Sequence, residues 1–268
     1  MKKKIFCDID GTLAKRMHKI SRKNVIAIAK YVRTGGDFIL CTGRSSVSAY
    51  KFQEQISNAT QKEPNYVICS NGGYIIDNIS KSIITYNIIN SISWQIYNEC
   101  IKHKVWCLFY TKESNDRGGV FASKVWFRWI LKMSKAIQCF KIYQNTNLKA
   151  FKIIVVSVST RKIKTFINIL EKKFKDKVSF VNTNKRLIEI NAITTSKSSA
   201  IEYILKKNNE SKKDVAAIGD SPNDIPMFKK VSLPISVRTK NKEVIQASKY
   251  HIPKFKNAIS VAINKYII

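Results

Sequence analysis

Histidine is scarce in this chain, cysteine never occurs in a C-x-x-C pair, and long apolar runs are absent. The three histidines (His18, His103 and His251) lie far apart in sequence and near no cysteine or acidic cluster, so a histidine-based metal site or catalytic triad has little support. The six cysteines lie largely within apolar segments, and we expect them to be reduced and buried. These shortages argue against a histidine-based metal site, a catalytic triad or a disulfide-dense fold.

No apolar run approaches the roughly 20 residues that a membrane-spanning helix needs. The first residues, MKKK, lead into an acidic motif where a signal peptide would need an uncharged apolar segment. The chain has 268 residues, of which 44% are hydrophobic, and this is enough to bury a substantial core. We therefore expect a cytoplasmic globular protein without a membrane partner.

Acidic residues are also few, since 18 Asp and Glu stand against 48 Lys and Arg, which gives a formal net charge of +30. Such a surface attracts nucleic acid, anionic lipid or phosphorylated metabolites. The lysines are scattered, however, with no sustained basic run or known nucleic-acid motif, which favours a compositional bias. The segment KVWFRWILK (124–132) interleaves aromatic and cationic residues, but its apolar spacing also fits a buried helix face, which we favour. We expect no obligate nucleic-acid partner, although the basic surface leaves room for weak binding.

Short apolar runs alternate with helical patterns over most of the chain, which predicts an α/β fold whose parallel sheet is covered by helices on both faces. The predicted strands are 4–7, 37–41, 66–69, 214–218 and 232–237, and the predicted helices lie near 22–34, 45–57, 196–207 and 254–266.

The pattern changes between residues 81 and 188, which we predict to be an inserted α/β module between two parts of a core, 1–80 and 189–268. Its predicted order is helix 91–103, strand 105–110, a turn at 116–119, helix 120–135, strand 151–158, helix 160–175 and strand 178–182. The insert contains 21 Lys and Arg but only five Asp and Glu, as expected of a lid over an anionic substrate.

Polar, turn-forming clusters follow the first four core strands: DIDGT, TGRS, SNGG and GDSPND. In open α/β sheets a ligand binds beyond the carboxyl ends of the strands, so these clusters should converge on one crevice. They also contain five of the nine glycines, Gly11, Gly43, Gly72, Gly73 and Gly219. In a chain poor in glycine, this placement predicts tight turns or close approach to a ligand.

Four aspartates in these clusters would repel one another unless a cation lay among them: Asp8, Asp10, Asp220 and Asp224. Hard carboxylate oxygens beside open space suit Mg²⁺, and an aspartate can also be a nucleophile that forms an acyl phosphate. Thr42 lies at a predicted helix start suited to an anion, and Lys197 offers a point charge for a phosphate oxygen. Taken singly, each residue could instead cap a helix, shape a turn or lie on the surface. Their order at successive strand ends favours function.

These motifs resemble a known family. DIDGTL, TGRS, Lys197 at its helix start and GDSPNDIPM resemble, in the expected order, the four motifs of the haloacid dehalogenase (HAD) superfamily. The insert between the second and third motifs, with SNGG before it, resembles the Cof-type phosphatases. The resemblance covers essentially the whole chain. It implies a Rossmann-like parallel-sheet core that carries an inserted α/β cap of the C2 type, which sets substrate specificity.

The resemblance also implies roles for individual residues. Asp8 would be the nucleophile, and Asp10 the general acid and base, with its backbone carbonyl at the metal. Mg²⁺ would be held by Asp8, Asp10, Asp220 and Asp224. The phosphate group would be bound by Gly11, Thr12, Thr42, Gly43, Lys197 and Asn223. The residues expected to face the cap and contact the substrate are Arg44, Asn71 and Gly72.

The predicted function is a Mg²⁺-dependent phosphatase acting through a phosphoaspartyl intermediate on a small metabolite, a sugar phosphate or a nucleotide or cofactor phosphate. Two alternatives stay open. One is a phosphoryl transferase or mutase of the phosphomannomutase type, which would return the phosphate to a sugar. The other is a basic anion- or nucleic-acid-binding protein on a HAD scaffold. The sequence leaves the oligomeric state open.

Overall fold

The structure, a computed structural model, describes residues 3–14, 19–124, 137–184, 186–253 and 257–268. The chain forms two compact units. The first comprises Met1–Ser45, Ala49–Ile84 and Ser196–Ile268, and the second comprises Ser46–Ser48 and Thr85–Thr195. The second unit extends beyond the predicted end of the insert at 188 because a further strand, Leu187–Ala192, belongs to its sheet.

The described residues contain the following elements. The strands are β1 (Lys4–Cys7), β2 (Asp37–Cys41), β3 (Tyr66–Cys69), β4 (Tyr74–Asp77), β5 (Ser82–Thr85), β6 (Trp106–Thr111), β7 (Gly119–Ala122), β8 (Gln138–Lys141), β9 (Ala150–Val156), β10 (Val178–Asn184), β11 (Leu187–Ala192), β12 (Val215–Gly219), β13 (Leu233–Val237) and β14 (Tyr250–Ile252). The helices are α1 (Arg22–Arg33), α2 (Ser46–Thr60), α3 (Asn90–Lys102), α4 (Lys112–Asp116), α5 (Thr160–Phe174), α6 (Lys197–Lys207), α7 (Ile225–Phe228), α8 (Lys242–Gln246) and α9 (Ala258–Ala262).

The first unit is built on an eight-stranded sheet with the order β14-β13-β12-β1-β2-β3-β4-β5. The pairs from β14 to β3 are parallel, and β4 runs antiparallel to β3. Every residue of β1, β2, β3 and β12 is buried, as expected for parallel strands covered on both faces. This architecture confirms the predicted α/β fold with a parallel sheet.

The second unit contains a six-stranded sheet with the order β10-β11-β9-β6-β7-β8, in which β7 and β8 are parallel and the other pairs are antiparallel. Helices α3 and α5 pack against this sheet through a shared apolar core. The buried residues of α5 are Ile163, Phe166, Leu170 and Phe174, whose spacing of three or four residues gives one apolar face. The periodicity that predicted this helix therefore corresponds to its buried side.

The prediction of a helix at 120–135 is wrong over its first residues. Gly119–Ala122 is strand β7, fully buried and paired with β6, so that Phe121 lies opposite Phe109. The short run VFA fits a buried strand as well as a helix, and pairing with β6 decides between them. Residues 125–136, which include nearly all of KVWFRWILK, lie outside the described residues. The sequence also did not predict β4, β5, β8, β11 or β14.

Two further expectations can be compared with the structure. All six cysteines are free, and five of them are buried as expected, whereas Cys139 is partly exposed. In the part of the chain that the structure describes, the helices lack the combination of length and hydropathy that crossing a membrane would require.

Candidate active site

The carboxyl ends of the neighbouring strands β1, β2 and β12 place the predicted site residues together. Asp8 follows β1, Thr42 follows β2, and Asp220 follows β12. The strand hydrogen bonding extends to the first polar residue, since the Asp8 N–H donates to Ile218 O at 2.9 Å and the Thr42 N–H donates to Ile68 O at 2.9 Å. The sheet therefore fixes the backbone from which these side chains project.

A lysine between two carboxylates forms the centre of the site. Lys197 Nζ donates to Asp8 Oδ1 at 2.6 Å and to Asp224 Oδ1 at 2.7 Å. Lys197, Asp8 and Asp224 are only 2%, 4% and 0% exposed. Lys197 is the first residue of α6, whose start is fixed by Ser196, the hydroxyl of which accepts from the Ser199 N–H. The helix start thus brings a residue distant in sequence to the end of β1.

Burial changes the protonation equilibria of these groups. Burial raises the pKa of Asp8 to about 8; the charge of Lys197 opposes this rise and that of Asp224 adds to it. Burial by itself would lower the pKa of Lys197, but Asp224 and Asp8 outweigh it, so the pKa is raised and the ammonium form is stabilised. When both carboxylates are ionised, two of them against one ammonium give this buried cluster surplus negative charge, and the raised pKa of Asp8 reflects the cost of that charge.

Asp220 adds a third carboxylate, held by the turn that follows β1. Thr12 Oγ1 donates to Asp220 Oδ1 at 2.8 Å. Burial raises the pKa of Asp220 to about 6, the Thr12 bond lowers it and Asp224 raises it further. Gly11 lies against the same carboxylate with a φ of +92°, and a Cβ atom there would be 2.1 Å from Asp220 Oδ2. This turn requires glycine for both its conformation and its close contact.

Asp224 organises the loop that carries Asp220. In the 3₁₀ turn Pro222–Asp224, Asp224 Oδ2 accepts from the N–H groups of Asp220 at 2.9 Å and Ser221 at 3.1 Å. The predicted phosphate ligand Asn223 lies in the same turn but is exposed, and its side-chain oxygen accepts from the Ser221 hydroxyl. Asp224 is thus part of the buried cluster, whereas the exposed Asn223 side chain forms its hydrogen bond with Ser221, which caps the same turn.

Three of the four predicted metal ligands fit a divalent cation. Asp8, Asp220 and Asp224 each offer a carboxylate oxygen, and these atoms lie within 4.8 Å of one another. Hard oxygen donors with surplus negative charge are the ligand set that Mg²⁺ prefers. Among the described residues, this group does not include the carboxylate of Asp10. These three aspartates could therefore hold the metal.

Asp10 forms an ion pair that the sequence did not predict. Arg44 donates from Nε to Asp10 Oδ2 at 2.7 Å and from Nη2 to Asp10 Oδ1 at 2.6 Å. The Arg44 guanidinium also lies 5.0 Å from the centroid of the Phe52 ring. The Asp10 side chain is 43% exposed, in contrast to the buried Asp8. The predicted general acid and the predicted substrate-contacting arginine are thus partners in this structure.

The remaining predicted residues lie in two loops that contact each other. Thr42 is fully buried, and its Oγ1 accepts from the Arg44 N–H at 3.1 Å. Thr42 O accepts from the Asn71 N–H at 2.9 Å, and the Asn71 amide lies within about 3.5 Å of the position that a Cβ on Gly43 would take. Gly72, with a φ of +98°, lies so close to α6 that a Cβ there would be 2.3 Å from Ser196 O. These contacts connect the end of β2 to the start of the helix that carries Lys197.

Arg238 is the site residue that sequence reasoning missed. It follows β13, has a φ of +59°, and donates from Nη1 to Gly11 O at 2.7 Å. It also interacts electrostatically with Asp220. Its position at the carboxyl end of a parallel strand was a usable signal, but the segment ISVRT has neither the glycine nor the aspartate that identified the other strand ends.

Comparisons with known proteins show the family and the fold of this chain. A model of the haloacid dehalogenase-like hydrolase family matches residues 5–263. A Mycoplasma genitalium protein named "Putative phosphatase" is 30% identical over 240 residues, which cover 83% of this chain and 81% of the relative. A 5-amino-6-(5-phospho-D-ribitylamino)uracil phosphatase of Bacillus subtilis is 25% identical over 239 residues, which cover 88% of this chain and 83% of the relative. A haloacid dehalogenase-like hydrolase structure from Bacteroides thetaiotaomicron shares the fold, with a TM-score of 0.86 over 99% of both chains at 19% identity.

Proposed function

The chain belongs to the haloacid dehalogenase-like hydrolases, and we propose that it is a Mg²⁺-dependent phosphatase that hydrolyses the phosphate ester of a small metabolite through a phosphoaspartyl intermediate. The observation that carries this proposal is the buried Asp8 carboxylate, which lies 2.6 Å from Lys197 within a cluster of three carboxylates. The substrate class is a sugar phosphate or a nucleotide or cofactor phosphate. The name of the Bacillus subtilis relative, a phosphatase of a phosphorylated ribityl compound, supports this class.

Asp8 is the nucleophile in this proposal. Its carboxylate oxygen attacks the phosphorus, the bond from phosphorus to the ester oxygen breaks, and the phosphoryl group is carried as an acyl phosphate on Asp8. Water then attacks the phosphorus, which releases inorganic phosphate and restores the carboxylate. Lys197 keeps the Asp8 side chain in place and offsets part of the negative charge that accumulates when a phosphate approaches.

Asp8, Asp220 and Asp224 would hold Mg²⁺, with the backbone carbonyl of Asp10 as a further predicted ligand. When bound, the ion supplies positive charge that neutralises the carboxylates and the phosphate oxygens. The surplus negative charge of the cluster supports this assignment.

Asp10 moves the proton. It donates a proton to the leaving ester oxygen in the first step and takes one from the attacking water in the second. Both of its oxygens accept N–H bonds from Arg44, and this bidentate contact fixes the position of the Asp10 side chain. We therefore propose that Arg44 keeps Asp10 in place before the substrate arrives and then turns to an anionic or hydroxyl group of the substrate.

The phosphate group would be bound by the Thr42 hydroxyl, by Lys197 and by backbone N–H groups around Gly11, Thr12 and Gly43. Asn223 would act by supporting the turn that presents Asp220 and Asp224, since its hydrogen bond is to Ser221. Asn71 and Gly72 retain their proposed place near the substrate. The second unit is proposed to determine which substrate is accepted.

The test is phosphate release from hexose and pentitol phosphates, nucleoside monophosphates and an aryl phosphate, with Mg²⁺ and with a chelator. The variants are Asp8→Asn, which removes the nucleophile's charge at nearly constant volume, and Asp176→Asn, the same change at an exposed aspartate. We expect Mg²⁺-dependent turnover that falls by at least about a thousandfold in Asp8→Asn and is unchanged in the control.

The products separate the proposal from its alternatives. Conversion of a hexose 1-phosphate to the 6-phosphate without release of phosphate would indicate a mutase. Turnover that persists in Asp8→Asn, or a folded wild-type protein that releases no phosphate under any metal condition, would contradict the proposal.

A further inference from the structure

Arg238 adopts a backbone conformation that residues other than glycine seldom adopt. Its φ is +59°, directly after the last residue of β13. The Arg238 N–H donates to Ile252 O at 2.8 Å, which holds this conformation against the neighbouring strand β14. A strained residue persists where its surroundings fix it, and such positions cluster at functional sites. An arginine at this position therefore needs a role for its side chain that glycine could not fill.

The Arg238 guanidinium connects the loop after β13 to the turn after β1. Arg238 Nη1 donates to Gly11 O at 2.7 Å, although the two residues are 227 positions apart in sequence. Gly11 lies against the Asp220 carboxylate, and Arg238 interacts electrostatically with that same carboxylate. Arg238 therefore holds the carbonyl of the turn that follows the proposed nucleophile.

The direction of that carbonyl determines the direction of a neighbouring N–H group. In a planar trans peptide the carbonyl oxygen of Gly11 and the N–H of Thr12 point to opposite sides. The N–H groups of Gly11, Leu13 and Ala14 donate to Ala14 O, Asp8 O and Ile9 O. For the Thr12 N–H, the hydrogen bonds of the described residues include no acceptor, although Thr12 is only 1% exposed.

A buried N–H group without an acceptor is rare in a folded protein. This donor lies in the turn that follows Asp8, and the Thr12 side chain already donates to Asp220. The missing acceptor is therefore expected to be an oxygen of a ligand.

We infer that Arg238 is a positioning residue of this active site: by holding Gly11 O, it directs the Thr12 N–H towards a phosphoryl oxygen. The inference rests on the proposed function for the identity of the anion. It predicts that Arg238 acts on the binding of phosphate through Thr12, without touching the phosphate itself. Glycine would suit the backbone better, but glycine could not donate to Gly11 O as Arg238 does.

The experiment compares Arg238→Gly, Arg238→Lys and the control Lys240→Gly, which removes an exposed positive charge two residues away. Binding of inorganic phosphate is measured by titration calorimetry with Mg²⁺ present, so that the result does not depend on turnover. Thermal unfolding is measured on each protein, and kcat and KM are measured on an aryl phosphate.

We expect Arg238→Gly to bind phosphate about tenfold more weakly, a change of about 1.4 kcal/mol, while its melting temperature is not lowered because glycine accepts the left-handed conformation. Arg238→Lys should fall between the wild type and the glycine variant, added methylguanidinium should partly restore Arg238→Gly, and Lys240→Gly should match the wild type. KM should rise more than kcat falls.

Unchanged phosphate binding in Arg238→Gly would overturn the inference. So would weaker binding accompanied by a lower melting temperature, because Arg238 would then be only a structural link between the two loops. A wild-type protein that binds no phosphate would also overturn it. If instead the wild type binds phosphate and the variants behave as expected while no ester is hydrolysed, the proposed function fails and the role of Arg238 stands.

Discussion

Replacing Lys197 by methionine removes the ammonium that lies between two buried carboxylates. Nζ is 2.6 Å from Asp8 Oδ1 and 2.7 Å from Asp224 Oδ1. At an effective dielectric constant of about 20, Coulomb's law gives about 6 kcal/mol of attraction for each pair. The cost of taking the charges out of water cancels much of this, but removal of one partner from a buried pair still costs about 3–5 kcal/mol, because the remaining charges stay buried.

We therefore expect Lys197→Met to lower the free energy of unfolding by about 3–5 kcal/mol at neutral pH without divalent cations. Urea denaturation measures this loss. The matched control is Lys206→Met, the same change at an exposed position of the same helix α6, which should stay within about 0.5 kcal/mol of the wild type. Adding Mg²⁺ should recover part of the loss in the variant, because a cation in the cluster replaces the missing positive charge.

A loss of less than about 1 kcal/mol would refute this reasoning, because such a value is typical of an exposed ion pair. It would mean that the contacts of Lys197 with Asp8 and Asp224 contribute no more than exposed ion pairs do. An equal loss in Lys206→Met would point to a general effect of methionine on α6 and would also contradict the assignment.

Two further predictions concern buried charges outside the candidate site. In the second unit Lys152 Nζ lies 2.9 Å from Glu189 Oε1 with both side chains buried, so Lys152→Met alone should lower the free energy of unfolding by about 3 kcal/mol, whereas Lys152→Met combined with Glu189→Leu should lose much less in the same urea assay. In the first unit burial alone would raise the pKa of Asp77, but hydrogen bonds from Lys207 and Ser80 hold it below its usual value. The stability that Asp77 contributes is therefore present above about pH 4 and is lost as the pH falls through the folded pKa of Asp77. We expect Asp77→Asn to be less stable than the wild type by about 1–3 kcal/mol at pH 7, and thermal unfolding should show this difference closing below pH 4.

The central strands could be predicted because their burial on both faces leaves a continuous apolar run in the sequence. The predicted bounds 4–7, 37–41 and 66–69 coincide with β1, β2 and β3. Strands at the periphery lack this signal. β5 has the sequence SIIT and is only partly buried, so neither alternation nor a long apolar run identifies it. Pairing with a neighbouring strand, which is not encoded locally, is what makes such segments strands.

The assembly of Asp8, Asp220 and Asp224 could also be predicted in outline, because parallel strands bring their carboxyl ends to one edge of the sheet. Lys197 begins helix α6, so this argument does not reach it, and the family resemblance is what placed it in the site. The pairing of Asp10 with Arg44 could not be predicted, since it depends on side-chain rotamers and on the loop after β2. Arg238 was missed for a related reason. Its contact with Gly11 O joins loops 227 residues apart, and no spacing rule connects them.

The distribution of charge gives a further reason to regard the cluster as functional. In a chain with net charge +30, some of the scarce carboxylates neutralise buried lysines: Lys4 lies 3.2 Å from both Asp37 and Glu210, and Lys152 is paired with Glu189. A general excess of lysine accounts for exposed lysines, but it does not account for three carboxylates within 4.8 Å of one another, two of which contact Lys197. Such a group of carboxylates runs against the basic composition of the chain and carries the cost of burying like charges. A bound cation would offset that cost. The cluster of aspartates at this one place therefore supports the proposed metal binding.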